Sequence, residues 1–313
     1  MSDSHQQRSS LTTRAALASV AIALFLLVLK AYAAIETGSV AMLGSLADTG
    51  LDLVASLVTL FAVRVAAMPA DRDHRFGHGK AEALGALAQV VLISISAIVI
   101  GWRAVDRLIA GAQTANADSG IAVSIVAFAA TLALVAYQRS VIARTGSVAI
   151  RTDNVHYQSD LLLNLSVIAA LVLDQYLGFT GADPLFGLGI AAWLLWGAWR
   201  ASSRAFDQLM DREWPEEKRQ RFLAVAARHP EARGIHDLRT RSSGTHDFAQ
   251  FHIWIDPKMS VAQAHDVVEE IETELGGEFP GCEVLIHLDP EGQVDHPGNV
   301  LKETDETKEP IPE

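Results

Sequence analysis

The stretch VAMLGSLADTGLDLVASLVTLFAVRV, Val40 to Val65, decides the fold. A helix crossing a hydrocarbon core of ~30 Å needs roughly 20 mostly apolar residues, and this stretch supplies them. Yet Asp48 and Asp52 lie inside it, four residues apart. That spacing stacks both carboxylates on one helical face, with Cβ atoms ~5 to 6 Å apart. An aspartate near the centre of a membrane helix costs ~2.5 to 3.5 kcal/mol on insertion scales. A span that keeps two of them needs something to offset that cost.

Outward from this run, windows of similar character extend from Ala15 to Ile35, Ala81 to Trp102, Gly120 to Tyr137, Val148 to Leu173 and Pro184 to Trp199, making six in all. Half of the 313 residues are apolar, and the mean hydropathy is positive. A wholly water-soluble chain is therefore not expected. The first window lacks a short apolar region ending in a small-residue cleavage site, so it reads as a retained helix rather than a signal peptide. With residues 1–14 in the cytoplasm, the inner segments carry Arg8, Arg14, Arg64, Arg72, Arg75, Lys80, Arg139, Arg144, Arg151, Arg200 and Arg204. The outer loops then carry Arg103 and Arg107. The excess of positive charge on one side predicts that both termini are cytoplasmic. Lys30, inside the first span, reads as a snorkelling or paired lysine.

The formal charge of -12 is segregated. Residues 1–205 hold 13 acids and 14 bases, residues 206–290 hold 17 and 9, and residues 291–313 hold 7 and 2. Phosphate binding needs a basic face, and here the base-rich stretches flank apolar runs, so nucleic acid is excluded as a partner. The single cysteine, Cys282, rules out an intramolecular disulfide framework and a multi-cysteine zinc ribbon. It reads as a small buried residue.

Beyond the six-helix bundle of 15–205, the pattern of 206–290 is that of a small α+β domain. A helix is expected over Pro215 to Arg228, strands over Ile235 to Arg239 and Phe248 to Ile255, a helix over Val261 to Leu275, and a closing strand over Glu283 to Leu288. The acidic stretch from Glu291 to Glu313, with Pro297, Pro310 and Pro312, predicts a disordered tail.

His156 and Asp160 repeat the spacing of Asp48 and Asp52 in the fifth window. The three intramembrane aspartates would cost on the order of 8 to 10 kcal/mol uncompensated. Carboxylates one turn apart repel, so a cation, protons or basic neighbours must intervene. Three carboxylates and one imidazole can surround a divalent ion such as tetrahedral Zn²⁺, with Asn164 one turn beyond Asp160 as a supporting group. Metal binding requires these groups deprotonated, and an imidazole ordinarily titrates near neutral pH. Metal export against proton entry, with the helices rocking around the site, is the expectation.

A second cluster follows the second span: Asp71, Asp73, His74, Arg75, Phe76, Gly77, His78, Gly79 and Lys80. His74 and His78 with Asp71 or Asp73 can hold one metal, although a charged, solvated loop would look much the same. The soluble domain holds His229, His236, His246, His252, His265 and His287, with Asp289 two residues after the last. Residues two apart on a strand share a face, which makes a shared metal site plausible beside the reading of surface histidines.

These residues resemble the cation diffusion facilitator family over about residues 10–290. The carriers are GSVAMLGSLADTGLD (Gly38 to Asp52), PADRDHRFGHGKAEALGAL (Pro69 to Leu87), DNVHYQSDLLLN (Asp153 to Asn164), DLRTRSSG (Asp237 to Gly244) and VLIHLDPEG (Val284 to Gly292). The likeness is to bacterial ferrous-iron and zinc efflux pumps of the family. It implies homodimers in the bacterial inner membrane, each subunit with six transmembrane helices in lipid and a ferredoxin-like, metallochaperone-like cytoplasmic domain. It implies export of Zn²⁺ and related ions against H⁺, with Zn²⁺ also as a bound regulatory ion. Asp48, Asp52, His156 and Asp160 match the family's transport site, and Asp71, His74 and His78 its loop site. His236, His252, His265, His287 and Asp289 match a binuclear site holding the subunits together. Lys80 and Asp211 match a charge interlock between subunits. Where close relatives have glutamine between the last His and Asp, this chain has Leu288, so only the backbone carbonyl there could serve a metal. His246 matches nothing in the pattern.

Three classes remain open at this point. A metal/proton antiporter is the main reading. An intramembrane metalloenzyme is disfavoured because no Glu base accompanies a pair of histidines on one helix, and the acids fill positions a catalytic metal leaves to water. A metal-gated sensor would not need ligands in mid-membrane. Imidazole with carboxylates suits Zn²⁺, Fe²⁺, Co²⁺ and Cd²⁺ and argues against manganese.

Overall fold

The computed structural model describes residues 3–37, 40–110, 121–177 and 182–292. The chain divides into two compact units, one of residues 8–207 and one of residues 208–313 together with 1–7. Of the expected tail, residues 293–313 lie outside the described residues, as does the side chain of Asn164.

Six long helices follow one another: α1 (Asp3–Thr37), α2 (Val40–Ala66), α3 (Ala81–Ala110), α4 (Ile121–Thr145), α5 (Val148–Leu177) and α6 (Ala182–Leu209). The six apolar windows fall on them in order. Several helices overrun their windows: α1 starts at Asp3 rather than Ala15, and α4 runs on to Thr145. Once a helix is nucleated, adding polar residues that favour it costs little, so apolarity marks the membrane portion but not the helix end.

Among the described residues, four segments are long and apolar enough to cross a membrane: Gln7–Ile35, Asp48–Ala66, Ala81–Asp106 and Ile125–Thr145.

Small residues hold many of the buried positions of the bundle. Ala55, Ala62, Ala83, Ala86, Ser56 and Thr59 are buried, while Phe61, Val91, Ile95, Ile98 and Trp102 face outward. That is how helices associate in lipid, where apolar side chains gain nothing by hiding and close backbone approach gives the packing. Gly85 of α3 is the tightest such approach: a Cβ there would overlap that of Ala62 on α2.

A polar knot ties five helices. The buried Asp153 carboxylate on α5 accepts hydrogen bonds from Ser19 Oγ of α1 (2.7 Å), Gln89 Nε2 of α3 (2.9 Å) and Gln138 Nε2 of α4 (2.7 Å). Asn154 Nδ2 donates to Gln138 Oε1 and to the carbonyl of Val135. Tyr157 Oη meets Ser56 Oγ of α2 at 2.7 Å. Buried polar groups in hydrocarbon are costly unless so satisfied.

The second unit adds α7 (Glu216–Ala226), β1 (Arg233–Ser243), β2 (His246–Ile255), α8 (Val261–Glu278) and β3 (Cys282–Pro290). The sheet order is β1-β2-β3, with β1 antiparallel and β3 parallel to β2. Each predicted element is present, but β1 runs on to Ser243, past the expected end at Arg239. Its apolar alternation ends earlier because the distal half is held by strand pairing with Phe248, Asp247 and His246, and the residues it buries, Thr240 and Ser243, are polar. Helix α8 opens on a capping box, Ser260 with Gln263. Ala249, Phe251 and Ile253 of β2 pack with Phe222, Leu223, Ile271 and Leu275 of the helices. One face of the sheet is thereby covered, and Gln250, His252 and Trp254 project from the other.

Candidate metal centres

Three groups of His and Asp bring their ligand atoms within 4.8 Å of one another among the described residues. Each draws on residues singled out in the sequence.

The first joins Asp52 of α2 with His156 and Asp160 of α5. His156 Nε2 lies 3.0 Å from Asp52 Oδ1, which links the two helices directly. The helical repeat puts His156 and Asp160 one turn apart on α5, and α2 packs against that face. Asp48, one turn before Asp52, does not join the group. Lys30, set aside in the sequence reading, reaches this neighbourhood: its Nζ donates to Thr49 Oγ1 at 2.7 Å.

The second lies in the loop after α2. Asp71 Oδ1 accepts the backbone N–H groups of Asp73 (2.9 Å) and His74 (2.7 Å). Its oxygens also lie 3.5 Å from His74 Nδ1 and 3.4 Å from His78 Nε2. The two imidazoles are 4.5 Å apart between ring centroids. The backbone N–H of His74 holds the Asp71 carboxyl below the usual carboxylate range, with help from the Asp73 N–H and the two histidines. Gly77, at φ +77°, makes the turn that returns His78 toward Asp71. His78 Nδ1 is buried and has no hydrogen-bond partner among the described residues.

The third is a row across the sheet. Strand register sets His236 of β1 opposite His252 of β2, and His252 opposite His287 of β3. Ring centroids are 5.2 Å apart for the first pair and 4.6 Å for the second. Asp289 stands beside all three: Oδ2 is 2.8 Å from His252 Nδ1 and 3.3 Å from His236 Nε2, and Oδ1 is 3.4 Å from His287 Nε2. His236 Nδ1 meets the Gly234 carbonyl at 2.7 Å, which leaves Nε2 free to face the cluster as an acceptor. A register shift on either side of His236 turns it into this row.

His265 is not brought into the row in one chain. It sits exposed on α8, 3.3 Å from Glu269. Leu288 packs against the domain core, on the face of β3 opposite His287 and Asp289. Its side chain serves the fold there and not the metal row. His246 lies at the β1–β2 turn, and burial lowers its pKa. Asp211 pairs with Arg241 at 3.5 Å within its own unit. Burial pushes the Cys282 thiol up to about 12, so it stays protonated and is a poor ligand.

Comparison with known proteins places the chain in a family. Residues 16–210 match the model of the cation efflux transmembrane domain, and residues 214–291 that of the cation efflux protein cytoplasmic domain. The cation-efflux pump FieF of Cronobacter sakazakii is 42% identical over 294 residues, covering 91% of this chain and 98% of the relative. FieF of Serratia proteamaculans is 44% identical over 284 residues, covering 91% and 94%. A solved metal-bound C-terminal domain of the CzcD transporter from Thermotoga maritima is 30% identical, with a TM-score of 0.25, and covers 26% of this chain and 100% of that one. The chain belongs to the cation diffusion facilitator family of membrane-spanning cation efflux proteins. It is a transporter and not an enzyme.

Proposed function

We propose that the protein exports Zn²⁺ from the cytoplasm in exchange for protons, with Fe²⁺, Cd²⁺ and Co²⁺ tolerated, through a site formed by Asp48, Asp52, His156 and Asp160. The contact between His156 Nε2 and Asp52 Oδ1 carries the reading. At 3.0 Å these two atoms share a hydrogen bond, which requires a proton on one of them. A metal ion held by both requires that proton gone. Ion and proton therefore exclude each other at one pair of atoms, and rocking of α2 and α5 about that pair exchanges one for the other across the membrane. The pair ties two helices, so its state is coupled to their arrangement.

Two further sites belong to this proposal. Asp71, His74 and His78 hold an ion at the cytoplasmic end of α2, and the unpartnered Nδ1 of His78 supports that reading. His236, His252, His287 and Asp289 hold cytosolic metal, with His265 completing a binuclear site in a homodimer. Lys80 and Asp211 lock the subunits near the membrane surface, for which Asp211 must exchange Arg241 for its partner. Both termini lie in the cytoplasm and the protein in the bacterial inner membrane. The sensor reading loses ground to the same observation: ligands on two mutually packed membrane helices are of use only if an ion passes between them.

Zn²⁺ flux into proteoliposomes under an imposed pH gradient is the test. Asp52→Ala abolishes gradient-dependent flux with the fold intact, and His156→Asp raises manganese flux. Normal transport by Asp52→Ala would overturn the assignment.

A further inference from the structure

We propose that Lys30 is a charge-balancing residue of the transport step, a positive charge that neutralises the loaded site and keeps its ion releasable. The inference rests on the transport-site reading above.

Lys30 sits in LFLLVLKAYAAI, Leu24 to Ile35, an otherwise apolar part of α1. A lysine there normally extends its stem toward the nearest headgroups. This one turns inward: Nζ donates to Thr49 Oγ1 at 2.7 Å, and the Thr49 side chain is buried. Thr49 follows Asp48 and precedes Asp52 by three positions on α2, which puts it on the same face as Asp52. The Asp160 carboxylate on α5 feels Lys30 together with Asp52, His156 and Asp48. The ammonium group thus belongs to the electrostatic surroundings of the site from a third helix.

Charge then assigns its role. Asp48, Asp52 and Asp160 bring three negative charges, and a divalent ion cancels two. The remaining charge is uncompensated in a medium where isolated charges are expensive. Lys30 cancels it, so the loaded site is neutral while helices move about it. The same ammonium repels the bound ion, which weakens binding in favour of release.

The experiment measures Zn²⁺ flux against Zn²⁺ concentration in proteoliposomes of the full chain. Lys30→Met, which keeps the stem and removes the charge, is expected to lower KM by about tenfold and kcat by a similar factor, because the ion binds tighter and leaves more slowly. Lys30→Gln, which keeps a donor for Thr49 without charge, shows the same change and covers the case that the methionine variant does not fold. Lys30→Arg stays within a few-fold of wild type. Unchanged or raised KM in both neutral variants, or a loss in Lys30→Arg as large as theirs, would overturn the inference. Asp52→Ala in the same series separates the two readings. If it transports normally, the transport site itself is wrong; if it is inactive while the neutral Lys30 variants behave as wild type, Lys30 alone is wrong.

Discussion

Gly234 has a φ of +52°, and a Cβ at that position would collide with the indole of Trp254 on the neighbouring strand. Its carbonyl also accepts from His236 Nδ1, so one residue sets both the bulge and the tautomer of a candidate ligand. Gly234→Ala is expected to destabilise the soluble unit by about 1 to 3 kcal/mol. It should also weaken Zn²⁺ binding there, as read by thermal denaturation with and without the ion. Cys282 makes a contrasting case. With its thiol held near 12, it should react with iodoacetamide at neutral pH far more slowly in the folded chain than in urea, and equal rates would contradict that burial. Neither property is visible in the residue type, since both come from what stands across the strand.

At the scale of elements, α5 is held by hydrogen bonds to three other helices through Asp153. Asp153→Ala removes the acceptor that Ser19, Gln89 and Gln138 share, at about 1 to 3 kcal/mol for each donor that stays unpaired. Lower thermal stability in detergent and reduced flux are expected together, because His156 lies three residues on along the same helix. In the soluble unit α7 is tied to α8 by Arg221 Nη2 on Glu278 Oε2 at 2.9 Å, with Arg228 nearby. The Arg221 hydrogen bond holds the Glu278 carboxyl below its ordinary value of 4.5. Its contribution is therefore complete above that value and is lost as pH falls through the lower, folded one. Unfolding curves of wild type and Glu278→Gln should differ at pH 6 and converge under strong acid; a gap that persists there would refute the linkage.

For the whole molecule, the row His236, His252 and His287 lies on the open face of a sheet whose other face is filled by its own core. On the proposal above, metal bound on that face in a homodimer is expected to tighten the pairing of soluble domains and to bias the membrane helices through differential affinity for their two arrangements. Crosslinking between soluble domains in the full-length dimer should rise with Zn²⁺ and fall with chelator. Crosslinking indifferent to the ion would remove this regulatory link.

Much of this was written in the order of residues. Apolar runs of membrane length, aspartates four apart and the alternation of the strands gave six helices, a soluble α+β unit and the ligand types, because hydrophobicity and helical period are properties of short stretches. What the tertiary structure alone decided depends on which helices touch. It joined Asp52 to His156 and Asp160 while leaving Asp48 outside the group, kept His265 apart from the histidine row in a single chain, and turned Leu288 into the core. It also drew in Asp153, which sequence reading had passed over, and gave Lys30, read there as snorkelling or paired, its partner Thr49. Charged groups inside a membrane are placed by their partners, and those partners lie 19 residues away for Lys30 and 134 for the Ser19 contact of Asp153. No local pattern encodes separations of that kind; packing does.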